Sequence, residues 1–234
     1  MEGGRPLSGS VAVGGSKNSA LPIICASILA SSAITLKNVP KLDDIYCICE
    51  VLRSLGAHCS FQDDTLVIDA SKLKTFSASY ELVSRMRASF LILGPLLARH
   101  RQARVPLPGG CNIGPRPVDE HLRALVELGT SVHLKGGVVE ATTNGLKGTY
   151  ISFNVSSVGA TENSLMASVL AEGTTVLDNC AEEPEVEDLV NFLNSLGAEI
   201  SRIGPRKLEI RGKKQLSQKE PYSVIPDRIE AGTY

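Results

Sequence analysis

A cysteine, an arginine and a run of glycines and prolines are gathered in Leu107–Leu122, LPGGCNIGPRPVDEHL. Gly109 and Gly110 precede Cys111, and five residues later Arg116 stands directly before Pro117. A thiol beside a fixed cation and a helix start can serve as an acid or a nucleophile, because positive charge stabilises its thiolate. Pro117 at a first helical position, with Asp119 and Glu120 in the first turn, predicts such a start. Paired glycines leave the loop backbone free to close over a substrate. The same residues also read as ordinary loop punctuation around a small hydrophobe, and local pattern leaves both readings open.

The elements that must position this loop repeat along the chain. Ser8–Val13 is predicted as a strand ending at Gly14-Gly15, and Ser16 as the cap of a helix from Lys17 through Leu29. A strand over Ala33–Asn38 leads past Pro40 to a helix from Asp43 to Leu55 that stops at Gly56, then to strands His58–Phe61 and Thr65–Asp69 joined at Asp63-Asp64. The endings LRSLGA at Leu52, LVELGT at Leu125 and LNSLGA at Leu193 each precede a hairpin-like stretch and recur about every 70 residues. Each unit opens with a helix expected to be amphipathic, at Ser16, Met86 and Val158, and continues with a proline-initiated helix at Pro40, Pro117 or Pro184. Packed around a pseudo-threefold axis, the three opening helices would bring their N-termini together as an anion site.

That arrangement gives Lys17, Arg87 and Ser157-Val158-Gly159 one purpose. A lysine in a first helical turn opposes the helix dipole, which favours an anionic ligand for Lys17 over simple solvation. Arg87 reads equally as a ligand-binding cation or as half of an ion pair, and Ser157 reads first as a helix cap. The acidic run Glu182, Glu183, Glu185, Glu187 and Asp188 is expected to be a solvated helix start, and Lys213–Glu220 a linker before Pro221.

Composition narrows the class. The 234 residues can form one large domain or two smaller ones, and 43% hydrophobic with 21% charged residues is a globular balance. A net charge of −1 disfavours a nucleic-acid binder, and no apolar run is long enough for a bilayer, so small-molecule partners are expected. The six cysteines lack paired CxxC spacing and no secretory leader opens the chain, which reads as reduced and intracellular. The four histidines form no ligand cluster, and neither a metal nor a cofactor is expected.

Taken together and in order, GGSKNSALP, MRAS, LPGGCNIGPRPVDEHL, SVGAT and PDRIEAGT resemble the UDP-N-acetylglucosamine 1-carboxyvinyltransferase family of enolpyruvyl transferases, over essentially the whole chain and about the first half of the family's length. The resemblance implies an inside-out α/β barrel with three βαβαββ units in each of two domains and the active site between them. Residues 17–220 would be one complete domain, with 1–16 and 221–234 fragments of the other. The implied reaction moves the enolpyruvyl group of phosphoenolpyruvate to the 3-hydroxyl of UDP-N-acetylglucosamine and releases phosphate, in the cytoplasm, as the first committed step of peptidoglycan synthesis, cell wall biogenesis and so cell shape and division. By resemblance Cys111 donates the proton, can carry a pyruvate adduct and is the fosfomycin target. Lys17, Asn18 and Arg116 hold phosphoenolpyruvate; Arg87, Arg116, Pro117, Val118, Asp119, Glu120, His121, Ser157, Val158 and Gly159 contact the nucleotide sugar.

Two departures qualify it. Val155 stands where the family commonly has a lysine, and the second domain, which supplies the aspartate base, is not in this sequence. The chain therefore reads as a truncated transferase; the alternative is a non-catalytic nucleotide-sugar-binding or interaction module, with self-association through an exposed cleft face. The related shikimate-pathway transferase is disfavoured by the cysteine loop and MRAS.

Overall fold

The computed structural model describes Gly4, residues 8–109 and residues 117–233. The glycine-ended repeat is its architecture. In the first unit α1 (Lys17–Ala26) continues as a 3-10 turn to Leu29, followed by β1 (Ile34–Lys37), α2 (Asp43–Leu55) and the hairpin of β2 (His58–Gln62) and β3 (Thr65–Asp69). The second unit has the short α3 (Tyr80–Val83), a 3-10 segment Arg87–Ile92 running into α4 (Leu93–His100), then β4 (Gln102–Pro106), α5 (Asp119–Glu127), β5 (Thr130–Lys135) and β6 (Val138–Thr143). The third has β7 (Tyr150–Ser152), α6 (Val158–Ser168), β8 (Thr174–Asp178), α7 (Pro184–Ser195), β9 (Glu199–Gly204) and β10 (Lys207–Arg211). After it come β11 (Tyr222–Ser223) and α8 (Arg228–Thr233).

The three repeat glycines stop their helices for one reason. Gly56, Gly129 and Gly197 have φ of 107°, 91° and 98°, a left-handed backbone that a side chain would strain. At Gly56 the turn closes with Ala57 N donating to Leu52 O at 3.0 Å, and at Gly197 Ala198 N donates to Leu193 O at 3.1 Å. The chain leaves each turn aimed into a hairpin.

Each unit contributes one antiparallel trio, β1-β3-β2, β4-β6-β5 and β8-β10-β9. Beside the first strand of each trio lies a parallel neighbour from outside the trio: a bridge from Ser77 to Arg104, β7 beside β8, and β11 beside β1. The last closes the ring, since Tyr222 and Ser223 follow the third unit yet pair with Leu36 and Lys37 of the first. Sheets face outward and helices inward. β3, for example, buries Leu66 and Ile68 and leaves Asp69 exposed, while Ala160 through Ser168 of α6 are buried without interruption. Ile23, Ile24, Phe90, Leu165, Met166 and Phe192 lie in this centre, and each such side chain contributes about 1.5–3 kcal/mol on burial.

Several sequence expectations are corrected here. Two of the three opening helices are not amphipathic: α1 and α6 are buried nearly all round, because other helices and the sheets surround them, whereas α4 leaves Arg99 and His100 half-buried. Residues 8–14 form no strand. Val11 is 92% exposed and only Gly15 is bridged, to Pro226, so no ladder is available to hold an extended segment. Gly15 itself is compulsory, as an added Cβ would lie 1.7 Å from Asn38 O. α5 begins at Asp119 rather than Pro117, with Val118 as its cap. The acidic run is not uniformly solvated, since Glu185 and Asp188 are 3% and 2% exposed and point from α7 towards α1 and the segment after β11. The expected linker is packed on the first unit: Leu216 is fully buried, and the Gln218 amide bonds both Thr35 N (2.6 Å) and Thr35 O (3.0 Å), imitating a ladder partner. The division at residue 220 therefore does not detach β11 from the domain's first sheet.

Candidate active site

The starts of the three inner helical segments line a single cleft of about 1020 Å³. Ser16 caps α1 by accepting from Ser19 N at 3.3 Å, Ser157 caps α6 by accepting from Ala160 N at 3.3 Å, and Met86, extended, precedes the segment that begins at Arg87. The starts of α1 and α6 thus bring the positive ends of two helix dipoles to the cleft. Lys17, Asn18, Arg87, Pro117, Val118, Asp119, Glu120, His121, Ser157, Val158 and Gly159 all line it. The convergence inferred from the repeat is present in the structure.

Individual environments refine the expectations. Lys17 is an ion pair partner of Asp44, at 2.9 Å with both side chains over a third exposed, so the cation at the α1 start already has a carboxylate from α2. Arg87 donates to Pro117 O at 3.3 Å, tying the second inner segment to the entry of α5. Glu120 accepts from Arg123 (2.7 Å) and from the backbone and side chain of Asn154 (3.1 and 2.9 Å). Burial alone pushes that carboxyl up, but the hydrogen bonds from Arg123 and Asn154 outweigh it and hold the group below the usual range. Glu120 thus clamps the 154–157 turn to α5. Val155 lies on the rim, 66% exposed. Cys111 and Arg116 lie outside the described residues, but Pro108 and Pro117 on either side of that loop both line the cleft.

The other five cysteines are inside the fold, where burial limits access to each thiol, although the bond with Cys49 lowers the Cys59 thiol. Cys25, Cys47, Cys49, Cys59 and Cys180 are buried and unbridged. Burial pushes the thiols of Cys25 and Cys47 up and that of Cys180 up to about 12. Among the described residues no group of His, Cys, Asp and Glu side chains could hold a metal ion, and no helix is long and apolar enough to cross a membrane.

Three cleft residues escaped the sequence reading. Glu185 is buried and accepts a bidentate pair from Arg228 at 2.9 and 3.1 Å, which brings Arg228 to the cleft wall. Glu162 lies on the cleft floor, 4% exposed, one turn into α6. Its signal was present: it is the sole ionisable residue in Val158–Leu170. Burial, then the nearby Glu185 and Glu183, raise its carboxyl well above the ordinary value.

This has a pH consequence. In the native chain the Glu162 carboxyl holds its proton to higher pH than in the unfolded chain, which releases it near about pH 4.3. Above that point the native state binds more protons than the unfolded one, so the contribution to stability declines as pH rises towards the raised native value, by up to about 1.4 kcal/mol per pH unit. Glu162→Gln cannot ionise. Urea unfolding is expected to show the variant more stable than wild type at neutral pH, with the difference vanishing below about pH 4; a variant that loses stability most at neutral pH contradicts this.

Comparison with known proteins agrees with the geometry. The family described as EPSP synthase (3-phosphoshikimate 1-carboxyvinyltransferase) matches residues 1–234. The chain is 48% identical over 234 residues to UDP-N-acetylglucosamine 1-carboxyvinyltransferase 2 of Carboxydothermus hydrogenoformans, and 51% over 235 residues to UDP-N-acetylglucosamine 1-carboxyvinyltransferase of Shewanella amazonensis, covering 100% of this chain and 56% of each relative. It spans about half the length of these curated relatives. Among solved structures, the enolpyruvyl transferase NikO from Streptomyces tendae superposes with a TM-score of 0.86 at 28% identity, covering 99% of this chain and 55% of that one. EPSP synthase from Acinetobacter baumannii gives 0.78 at 21% identity, over 95% of this chain and 51% of that one, a likeness of fold.

Proposed function

The chain belongs to the EPSP synthase (3-phosphoshikimate 1-carboxyvinyltransferase) family, and from that premise we propose that it serves transfer of the enolpyruvyl group of phosphoenolpyruvate to the 3-hydroxyl of UDP-N-acetylglucosamine, in the cytoplasm, as the entry to peptidoglycan synthesis. The observation that carries this reading is the meeting of three inner helix starts, Lys17 and Arg87 on one cleft. Such a site suits the phosphate and carboxylate of phosphoenolpyruvate and the diphosphate of a nucleotide sugar. The nucleotide-sugar choice is supported by relatives about half identical that carry that name.

In this reading addition precedes elimination. The sugar hydroxyl attacks C2 of phosphoenolpyruvate while a proton goes to its methylene carbon, giving a tetrahedral ketal; loss of phosphate and of a methyl proton then regenerates the enol ether. Cys111 delivers the proton to the methylene carbon. Lys17, with Asn18 beside it at the α1 start, and Arg116 hold the phosphoenolpyruvate anion. Arg87, Arg116 to His121 and the Ser157–Gly159 turn receive the nucleotide sugar, Glu120 acting through the turn it clamps. In this reading residues 17–220 form the three-unit domain and 1–16 with 221–234 belong to a second one, β11 reaching across to pair with β1.

Calorimetric titration is expected to show saturable binding of UDP-N-acetylglucosamine that shikimate 3-phosphate does not reproduce. The opposite preference overturns the substrate assignment. Lys17→Ala is expected to weaken phosphoenolpyruvate binding roughly 5–30-fold, about 1–2 kcal/mol for a partly solvated cation. Asp44→Asn removes the competing carboxylate 2.9 Å away and is expected to tighten binding by up to about fivefold; unchanged affinity in both variants would remove Lys17 from the anion site.

A further inference from the structure

Asn163 is fully buried on α6, and its side-chain amide joins the second and third units. Its Oδ1 accepts from Gly94 N at 2.6 Å; its Nδ2 donates to Phe90 O at 3.5 Å and lies 3.1 Å from His121 Nδ1. α4 and α6 meet so closely here that a Cβ on Gly94 would fall 2.3 Å from Asn163 O and 2.5 Å from its Oδ1. The orientation of the amide follows from chemistry. A backbone N–H can only donate, so the atom facing Gly94 is oxygen, and the nitrogen must face His121.

An amide nitrogen in turn can only donate, so His121 Nδ1 must accept. A neutral imidazole with a bare Nδ1 carries its proton on Nε2, and the cation is disfavoured because its Nδ1–H would confront the amide hydrogens. The surroundings agree. His121 is 5% exposed, its ring meets the Phe90 ring edge-on at 5.4 Å, and burial followed by the Arg87 charge lowers its pKa to about 4. The Nε2 edge lies against the start of α6, where a Cβ added to Gly159 would come within 3.2 Å of Nε2 and 3.0 Å of Cε1. Both residues line the cleft.

We propose that Asn163 is a positioning residue for nucleotide-sugar binding: its amide locks His121 as the neutral Nε2–H tautomer, so that the imidazole offers one N–H donor to an acceptor oxygen of the nucleotide sugar at the start of α6. The ligand in this statement rests on the function proposed above; the tautomer does not. Glycine at 159 leaves the room that the imidazole edge needs. Asn163→Asp preserves size and the bond from Gly94 but replaces the donor with an acceptor, which reverses the demand on Nδ1.

Long-range ¹⁵N–¹H NMR of the imidazole is expected to show Nδ1 unprotonated and Nε2 protonated in the wild-type protein at neutral pH, with the Nε2 signal moving on addition of UDP-N-acetylglucosamine. In Asn163→Asp the proton is expected on Nδ1, or on both nitrogens, with nucleotide-sugar affinity reduced about tenfold for one lost hydrogen bond. An Nδ1–H or cationic His121 in the wild-type protein overturns the lock, and this spectrum needs no variant to fold. An Nε2 signal unmoved by a nucleotide sugar that calorimetry shows to bind overturns the donor role. Absence of calorimetric binding to the wild-type protein is the distinct failure of the substrate reading, and it overturns the ligand half of this proposal while the tautomer is still read directly.

Discussion

Asp188→Ala is expected to remove about 3–5 kcal/mol of folding stability, comparable to breaking a buried charged network. The carboxylate is 2% exposed and is held by neutral donors from separate parts of the chain. Ser19 Oγ on α1 donates to Oδ2, Tyr222 OH on β11 donates to Oδ1 at 2.6 Å, and Ile225 N donates to Oδ2 at 3.3 Å. Burial, then this bond to Asp188, pushes the Tyr222 phenol well up, so the donor keeps its proton. Hydrogen bonds to a charged acceptor contribute about 1.5–3 kcal/mol each; alanine leaves the buried Ser19 hydroxyl without this acceptor and the Tyr222 hydroxyl with only the backbone carbonyl of residue 188, at 3.1 Å. Against the 5–15 kcal/mol typical of a folded domain the loss is large, roughly 10 °C in Tm for a chain of this size.

The effect should also be local in a recognisable way. β11 is a two-residue strand whose parallel pairing closes the ring of sheets, and Asp188 anchors its aromatic ring edge-on to Phe192 at 5.2 Å. Hydrogen exchange in Asp188→Ala is therefore expected to accelerate first at Val224, whose N–H donates to Lys37 O. Asp188→Asn keeps one acceptor oxygen and should lose less. A variant melting within about 2 °C of wild type would show that the network adds little.

Cys111→Ala is expected to reduce phosphate release by the catalytically competent enzyme about 10²–10⁴-fold, the usual contribution of a positioned proton donor. On the proposed assignment alanine removes the acid without adding bulk, so UDP-N-acetylglucosamine affinity is expected to stay within about twofold. No other cysteine can take over, because the remaining five are buried. For the same reason a thiol-directed electrophile is expected to modify Cys111 first in the native protein, and peptide mapping reads that directly. Turnover retained by Cys111→Ala would assign the proton to another group, with the buried Glu162 carboxyl, its pKa raised by burial, the next to test.

The features legible in the sequence by itself are those that neighbouring residues decide. Glycines at 56, 129 and 197 terminate helices because only a residue without Cβ takes a left-handed backbone freely, and the alternating stretches after them form hairpins whatever lies elsewhere. Repetition of that local grammar implied a threefold domain and, from it, helix starts gathered at one end around Lys17, Arg87 and Ser157. Tertiary structure alone decided which polar groups are buried and whom they meet. Asp188 reads as one more surface acid until Ser19, 169 residues away, arrives beside it. The solitary Glu162 has its carboxyl pKa raised only when other helices exclude water from it. The His121 tautomer depends on an amide 42 residues further along. Backbone conformation is set within a few residues, whereas solvation and hydrogen-bond partnership are properties of the space that the finished fold encloses.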